Sequence, residues 1–134
     1  MADPLRTHRR IHEFAMSLPG AWEDHPWGEI VVKAGKKVFV FLGSEEGGDW
    51  WPGFTVKLAD SHEQALAIPG AEPSGYGLGK AGWVSIRLRA KGLPPLGILT
   101  DMVEESYRLV APKTLVTELD ASGLSPPGTI RPSR

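Results

Sequence analysis

Apolar residues recur at Ile11, Phe14, Ala15 and Leu18, a spacing that lines one side of a helix. Asp3-Pro4 ahead of them supplies a capping carboxylate and a first-turn proline. A helix over residues 4–18 is predicted, stopped by Pro19-Gly20, with Arg6, Arg9, Arg10 and Glu13 on its outer face. The period then changes. Glu29 to Ala34 and Lys37 to Leu42 are β-branched and aromatic runs joined through Gly35-Lys36, which reads as a hairpin. The polar segment Ser44 to Pro52 reads as a loop, after which Phe54, Val56 and Leu58 alternate with Thr55 and Lys57 as a third strand. A short helix, His62 to Ile68, is capped by Asp60 or Ser61 and ended by Pro69-Gly70. A glycine-punctuated loop from Gly75 then runs into a strand from Trp83 to Arg89. Pro94-Pro95 opens the longest helix, with Leu99, Met102, Val103, Tyr107 and Val110 as its core stripe. Pro112 breaks it, and a last helical piece covers residues 113–121.

The segregation of these elements implies an α+β fold in which helices cover one side of an antiparallel sheet and leave the other side wet. Alternation along the fourth strand sends Val84, Ile86 and Leu88 to the core and Trp83, Ser85, Arg87 and Arg89 to the opposite side. Thr55 and Lys57 join that side if their strand pairs with it in the matching register. An aromatic and basic sheet face with no nucleophile and no acid–base pair is a surface for holding something.

Composition narrows what is held. The 134 residues fit one domain, residues 1–121, followed by a Pro, Gly and Ser-rich segment, 122–134, expected to be disordered. No apolar run approaches the roughly 20 residues of a membrane span, and the first residues lack the apolar core of a signal peptide. Zero cysteines fit a cytoplasmic protein and leave no disulfide or thiolate chemistry. The net charge of −1 is far from that of a domain that binds nucleic acid by overall charge, so any such role rests on the local run Lys80, Arg87, Arg89 and Lys91.

Leu18-Pro-Gly-Ala, His25-Pro-Trp-Gly28, Thr55-Val-Lys57, Gly75-Tyr76 to Lys80, Trp83-Val84 and Glu105-Ser-Tyr-Arg-Leu-Val110 together resemble the MmcQ/YjbR family, from Arg9 to about Leu119. The resemblance implies a frataxin-like (CyaY-like) "double wing" fold and a bacterial protein of a family designated DNA-binding; it supplies no proven reaction, metal or cofactor. The family's recurring polar and aromatic positions fall here on Trp27, Gly28, Lys57, Tyr76, Lys80, Trp83 and Tyr107. Tyr107 lies on a core stripe and is expected to be a buried tyrosine with a bonded hydroxyl, and Trp27 is expected to plug one end of the sheet. The acidic, tryptophan-bearing Glu45 to Trp51 loop and the overall acidity depart from the family pattern and weaken the DNA-binding inference without displacing it.

The expected function is therefore non-enzymatic DNA binding, with Lys57, Lys80, Arg87 and Arg89 on phosphates and Trp83 and Tyr76 stacking on bases. The alternative is a protein-interaction module, or a homodimer seam, using the same face, because tryptophan and arginine also anchor protein interfaces. His8 and His12, four apart, lack the third ligand that zinc needs. Gly75, Gly77 and Gly79 do not form a phosphate-binding G-x-G-x-x-G turn into a helix. Ser85 and Ser106 have no identifiable base. Asp101, Glu104 and Glu105 read as a solvated helix face.

Overall fold

A computed structural model describes residues 3–75 and 78–122. Helix α1 (Pro4–Met16) begins where the Asp3 carboxylate accepts the Leu5 N–H at 3.0 Å, and it buries His8, Ile11 and Ala15. Strands β1 (Ala21–Asp24), β2 (Ile30–Ala34) and β3 (Lys37–Gly43) follow as an antiparallel meander. Gly35, at φ 66°, makes the tight β2–β3 turn that an L side chain would strain. Strand β4 (Gly53–Lys57), helix α2 (His62–Leu66), the short strand β5 (Ala71–Pro73) and strand β6 (Trp83–Arg87) precede the long helix α3 (Leu96–Val110) and helix α4 (Lys113–Ser122). The sheet has six antiparallel strands in the order β1-β2-β3-β4-β6-β5. The α+β arrangement expected from the sequence is the one found.

Two strands escape the pattern analysis. β1 has four residues and β5 three, both lie at edges, and neither is long enough for alternation to declare itself. Their pairing is dictated by neighbours rather than by their own residues.

The back of the sheet carries Val32, Ala34, Val40, Leu42, Phe54, Val56, Val84 and Ile86, which meet Ile11 and Ala15 of α1 and Leu99, Met102, Val103 and Tyr107 of α3 in one core. Phe39 joins them because β3 bulges there: Lys33 of β2 pairs with Val38 while Val32 pairs with Val40, so Phe39 and Val40 both turn inward. The bulge leaves a gap in the ladder toward β4, which a side chain from α3 fills. The buried Ser106 hydroxyl donates to the Phe39 carbonyl at 2.6 Å and accepts the Lys57 N–H at 2.9 Å. Ser106 is thus a structural bridge. Tyr107 is fully buried, donates its hydroxyl to the Pro19 carbonyl at 2.6 Å, and meets Phe39 edge-on. Burial pushes its phenol up to about 12.

Of the three acidic residues of α3, Asp101 is exposed as expected, but Glu104 and Glu105 are turned to partners within the fold. Glu104 is buried and pairs with Arg108 at 2.9 Å; Arg108 also reaches Asp120 at 2.9 Å, tying α3 to α4. Glu105 accepts the Ala59 and Ser61 N–H groups at 2.7 and 3.3 Å, so the turn leading into α2 is tied to α3, and neither Asp60 nor Ser61 caps the helix with its side chain. Helical periodicity distinguishes apolar from polar positions and is blind to polar groups that find partners on other elements. Ser122 closes α4; the rest of the segment expected to be disordered lies outside the described residues.

Candidate functional site on the helix-free sheet face

The front of the sheet is assembled by register. Thr55 pairs with Ser85 and Lys57 with Trp83, so the condition attached to the sequence reading is met, and the Thr55 and Ser85 hydroxyls lie 2.7 Å apart. Phe41 pairs with Thr55 and Glu72 with Ser85, which brings both to the same side. Above this floor stand three irregular connections: the 3-10 turn Pro26–Gly28, the β3–β4 loop with its turn Gly48–Trp50, and the segment after β5. Between them runs a groove of about 820 Å3. Gly53 lines it, and a side chain is excluded at this position because a Cβ would come within 2.5 Å of the Trp50 carbonyl oxygen.

The residues expected to bind a ligand are not gathered in this groove. Trp83 is only 9% exposed and packs edge-on against Phe41, 5.3 Å between ring centroids, so it is not the open stacking platform expected. Alternation assigned its side correctly but did not reveal that Phe41, from a different strand, covers it. Arg87 is engaged within the chain: its guanidinium lies 3.7 Å from the centre of the Trp50 ring, pairs with Glu72 at 2.8 Å and reaches the Gly70 carbonyl at 3.4 Å. Arg89 is exposed in the turn beyond β6, whereas Lys80 is exposed in the turn before it. The strand between them spans roughly 17 Å at the usual rise. Lys57, paired with Trp83, belongs to the Lys80 end, so the cations divide between the two ends of β6. Tyr76 lies outside the described residues, although Gly75 and Leu78 on either side of it line the groove.

What lines the groove is different in character. Glu29 and Glu72 contribute carboxylates, Trp50 and Phe41 contribute rings, and no lysine or arginine occurs among the described lining residues. Burial alone pushes the Glu29 carboxyl above its ordinary range. Trp27 stands at the rim and is 99% exposed, so it does not plug the sheet as expected. Its backbone has φ 53°, a left-handed conformation costly for a bulky residue, followed by Gly28 at φ 81°. The family motif singled out Trp27, but nothing in the local sequence signalled that the ring faces water.

Three of the histidines are engaged within the fold. His8 is buried and donates Nε2–H to the Leu42 carbonyl at 2.8 Å beneath the Trp51 ring; burial lowers its basicity. His12 and His25 both reach Glu23, at 2.5 and 2.6 Å. Hence His8 and His12, though four apart, have separate partners. No cluster of three or more metal-ligating side chains occurs among the described residues.

These features define a class: an α+β domain whose antiparallel sheet is helix-covered behind and grooved in front. The chain belongs to the YjbR family, whose model matches residues 16–109. A crystal structure of the Deinococcus radiodurans protein DR2400, with a DUF419 domain, is similar at TM-score 0.67 and 23% identity, covering 98% of this chain and 100% of that one. A Pseudomonas syringae protein is similar at TM-score 0.57 and 18% identity, covering 76% of this chain and 97% of that one. No curated protein matches the sequence. No described helix is long and apolar enough to cross a membrane.

Proposed function

We propose that this chain is a non-enzymatic binding module whose helix-free groove receives a segment of a protein partner, with Trp27 as the anchor. The observation that carries this reading is a tryptophan 99% exposed at the rim of a groove, held there by a backbone conformation that costs free energy. Burying a tryptophan side chain on association is among the largest contributions a single residue makes to an interface. The unpaired Glu29 carboxylate and the lack of Lys or Arg among the described lining residues favour this reading over a polyanion, which would find no cation in the groove to meet it. A cytoplasmic setting is consistent with a chain free of cysteine.

The test is a pull-down with wild-type and Trp27→Ala protein, followed by direct titration of the recovered partner. Loss of that partner's binding by Trp27→Ala supports the proposal, and equal affinity for both proteins overturns it. Labelled duplex and single-stranded DNA, titrated at two salt concentrations, tests the nucleic-acid reading. Tight binding that weakens as salt rises and requires Lys57, Lys80 or Arg89 would replace the protein partner with DNA. Light scattering of wild-type and Trp27→Ala protein identifies a second copy of this chain as the partner if only the variant is monomeric.

A further inference from the structure

One wall of the groove contains a worked example of guanidinium binding. Trp50 offers the face of its ring and Glu72 a carboxylate, and Arg87 of the same chain occupies the position between them, 3.7 Å from the ring centre and 2.8 Å from the carboxylate. The lining of the same groove carries a second set of the same two kinds of group, Trp27 and Glu29, two residues apart in sequence. No ion pair joins Glu29 to a cation among the described residues, and the Trp27 ring is open to water. A half-buried carboxylate without a cation is disfavoured as an anion, and burial accordingly raises the Glu29 carboxyl above its usual range.

We infer that the groove recognises an arginine side chain of the docking segment, its guanidinium paired with Glu29 and laid against Trp27. The inference rests on the binding-module reading above and names the chemistry of its ligand. Arginine fits better than lysine on three grounds. Its planar fork meets a carboxylate through two parallel hydrogen bonds, it stacks on an indole, and it gives up its water more readily than an ammonium does. The complementarity is also one of sign: the described lining has two carboxylates, one of them already neutralised by Arg87, and no cation that would oppose an incoming one.

N-acetyl-arginine amide is the probe, titrated at low ionic strength into the full chain, with N-acetyl-citrulline amide as its uncharged near-isostere. The readout is the indole N–H resonance of Trp27, assigned by its absence in Trp27→Phe. A saturable shift with arginine, little with citrulline, and about tenfold weaker binding to Glu29→Gln are expected. Equal shifts from arginine and citrulline overturn the inference, as does no shift or an unchanged affinity in Glu29→Gln. The citrulline comparison uses wild-type protein alone, so it decides even if Glu29→Gln fails to fold. If arginine fails while Trp27→Ala still abolishes capture of a protein partner, docking stands and its arginine chemistry falls; if both fail, the groove is not the docking site.

Discussion

The two faces of this sheet are made by the same strands, yet they use their residues oppositely. Behind, side chains converge on α1 and α3, and the Ser106 and Tyr107 hydroxyls there donate to backbone carbonyls. In front, Phe41 covers Trp83 and Trp50 covers Arg87, so part of that face is a second, smaller packed layer, and Trp27 at its rim is the most exposed aromatic side chain among the described residues. The lesson is that an open sheet face is not the same as an exposed one. Alternation distinguishes the two sides of a strand but does not say which side chains on the wet side shield one another.

The largest expected effects probe whether the front layer behaves as core. Phe39→Ala, behind, is expected to cost about 3–5 kcal/mol by removing a fully buried ring that both fills the bulge and meets Tyr107. Trp83→Ala, in front, is expected to cost about 3 kcal/mol, because its ring is nearly as buried. Urea unfolding of both variants checks this. A front-face loss below about 1 kcal/mol would place Trp83 with ordinary surface residues and remove the second layer.

Next comes Ser106→Ala, expected to cost about 1–3 kcal/mol although only one oxygen is lost. The Phe39 carbonyl and the Lys57 N–H both lose their partner where the bulge already interrupts the ladder. Amide exchange at Lys57, whose N–H bonds to the Ser106 hydroxyl, should accelerate more in this variant than at residues 53–55, whose pairing with β6 does not involve it. Uniform acceleration along β4 would mean that the hydroxyl acts on global stability alone.

Much of the fold was legible in the residues, and the reasons are local. The Asp3-Pro4 cap, the apolar stripe of α3 and the strict alternation through β4 and β6 each declare an element without help from elsewhere. The candidate site was less legible because its character comes from residues distant in sequence. Arg87 reads as a free cation until Glu72 and Trp50 are brought to it, and Trp83 reads as exposed until Phe41 arrives from β3. Trp27 reads as a plug for one end of the sheet, whereas its ring is 99% exposed on a left-handed backbone. Glu104 and Glu105 look like solvated positions for the same reason, since their partners lie on another turn or another element.

A smaller effect separates the two sides by pH. Burial holds His8 below its usual pKa of about 6.5, so the unfolded chain takes up a proton more readily than the folded one as the solution is acidified. Stability contributed by neutral His8 is therefore present above about pH 6.5 and declines as pH falls toward the lowered folded-state value. His8→Gln retains a donor for the Leu42 carbonyl but cannot be protonated in this range. Denaturation midpoints measured from pH 8 to 5 should fall more steeply for wild type than for this variant, and parallel curves would show that His8 is not a source of acid sensitivity.

The smallest expected change in stability belongs to Trp27→Gly, despite loss of the largest side chain in the chemistry of proteins. Two terms oppose each other. Relief of the φ 53° conformation favours glycine by about 1 kcal/mol, whereas the added freedom of glycine in the unfolded state costs about 0.5–1 kcal/mol. With the ring 99% exposed, almost no burial is lost, so the melting temperature should stay within a few degrees of wild type. Trp27→Ala removes the same ring while keeping the strain, and should be slightly less stable than Trp27→Gly. If both variants instead melt as early as Trp83→Ala, Trp27 belongs to the packed layer; if they do not, the tryptophan is retained at this strained position for something other than the fold.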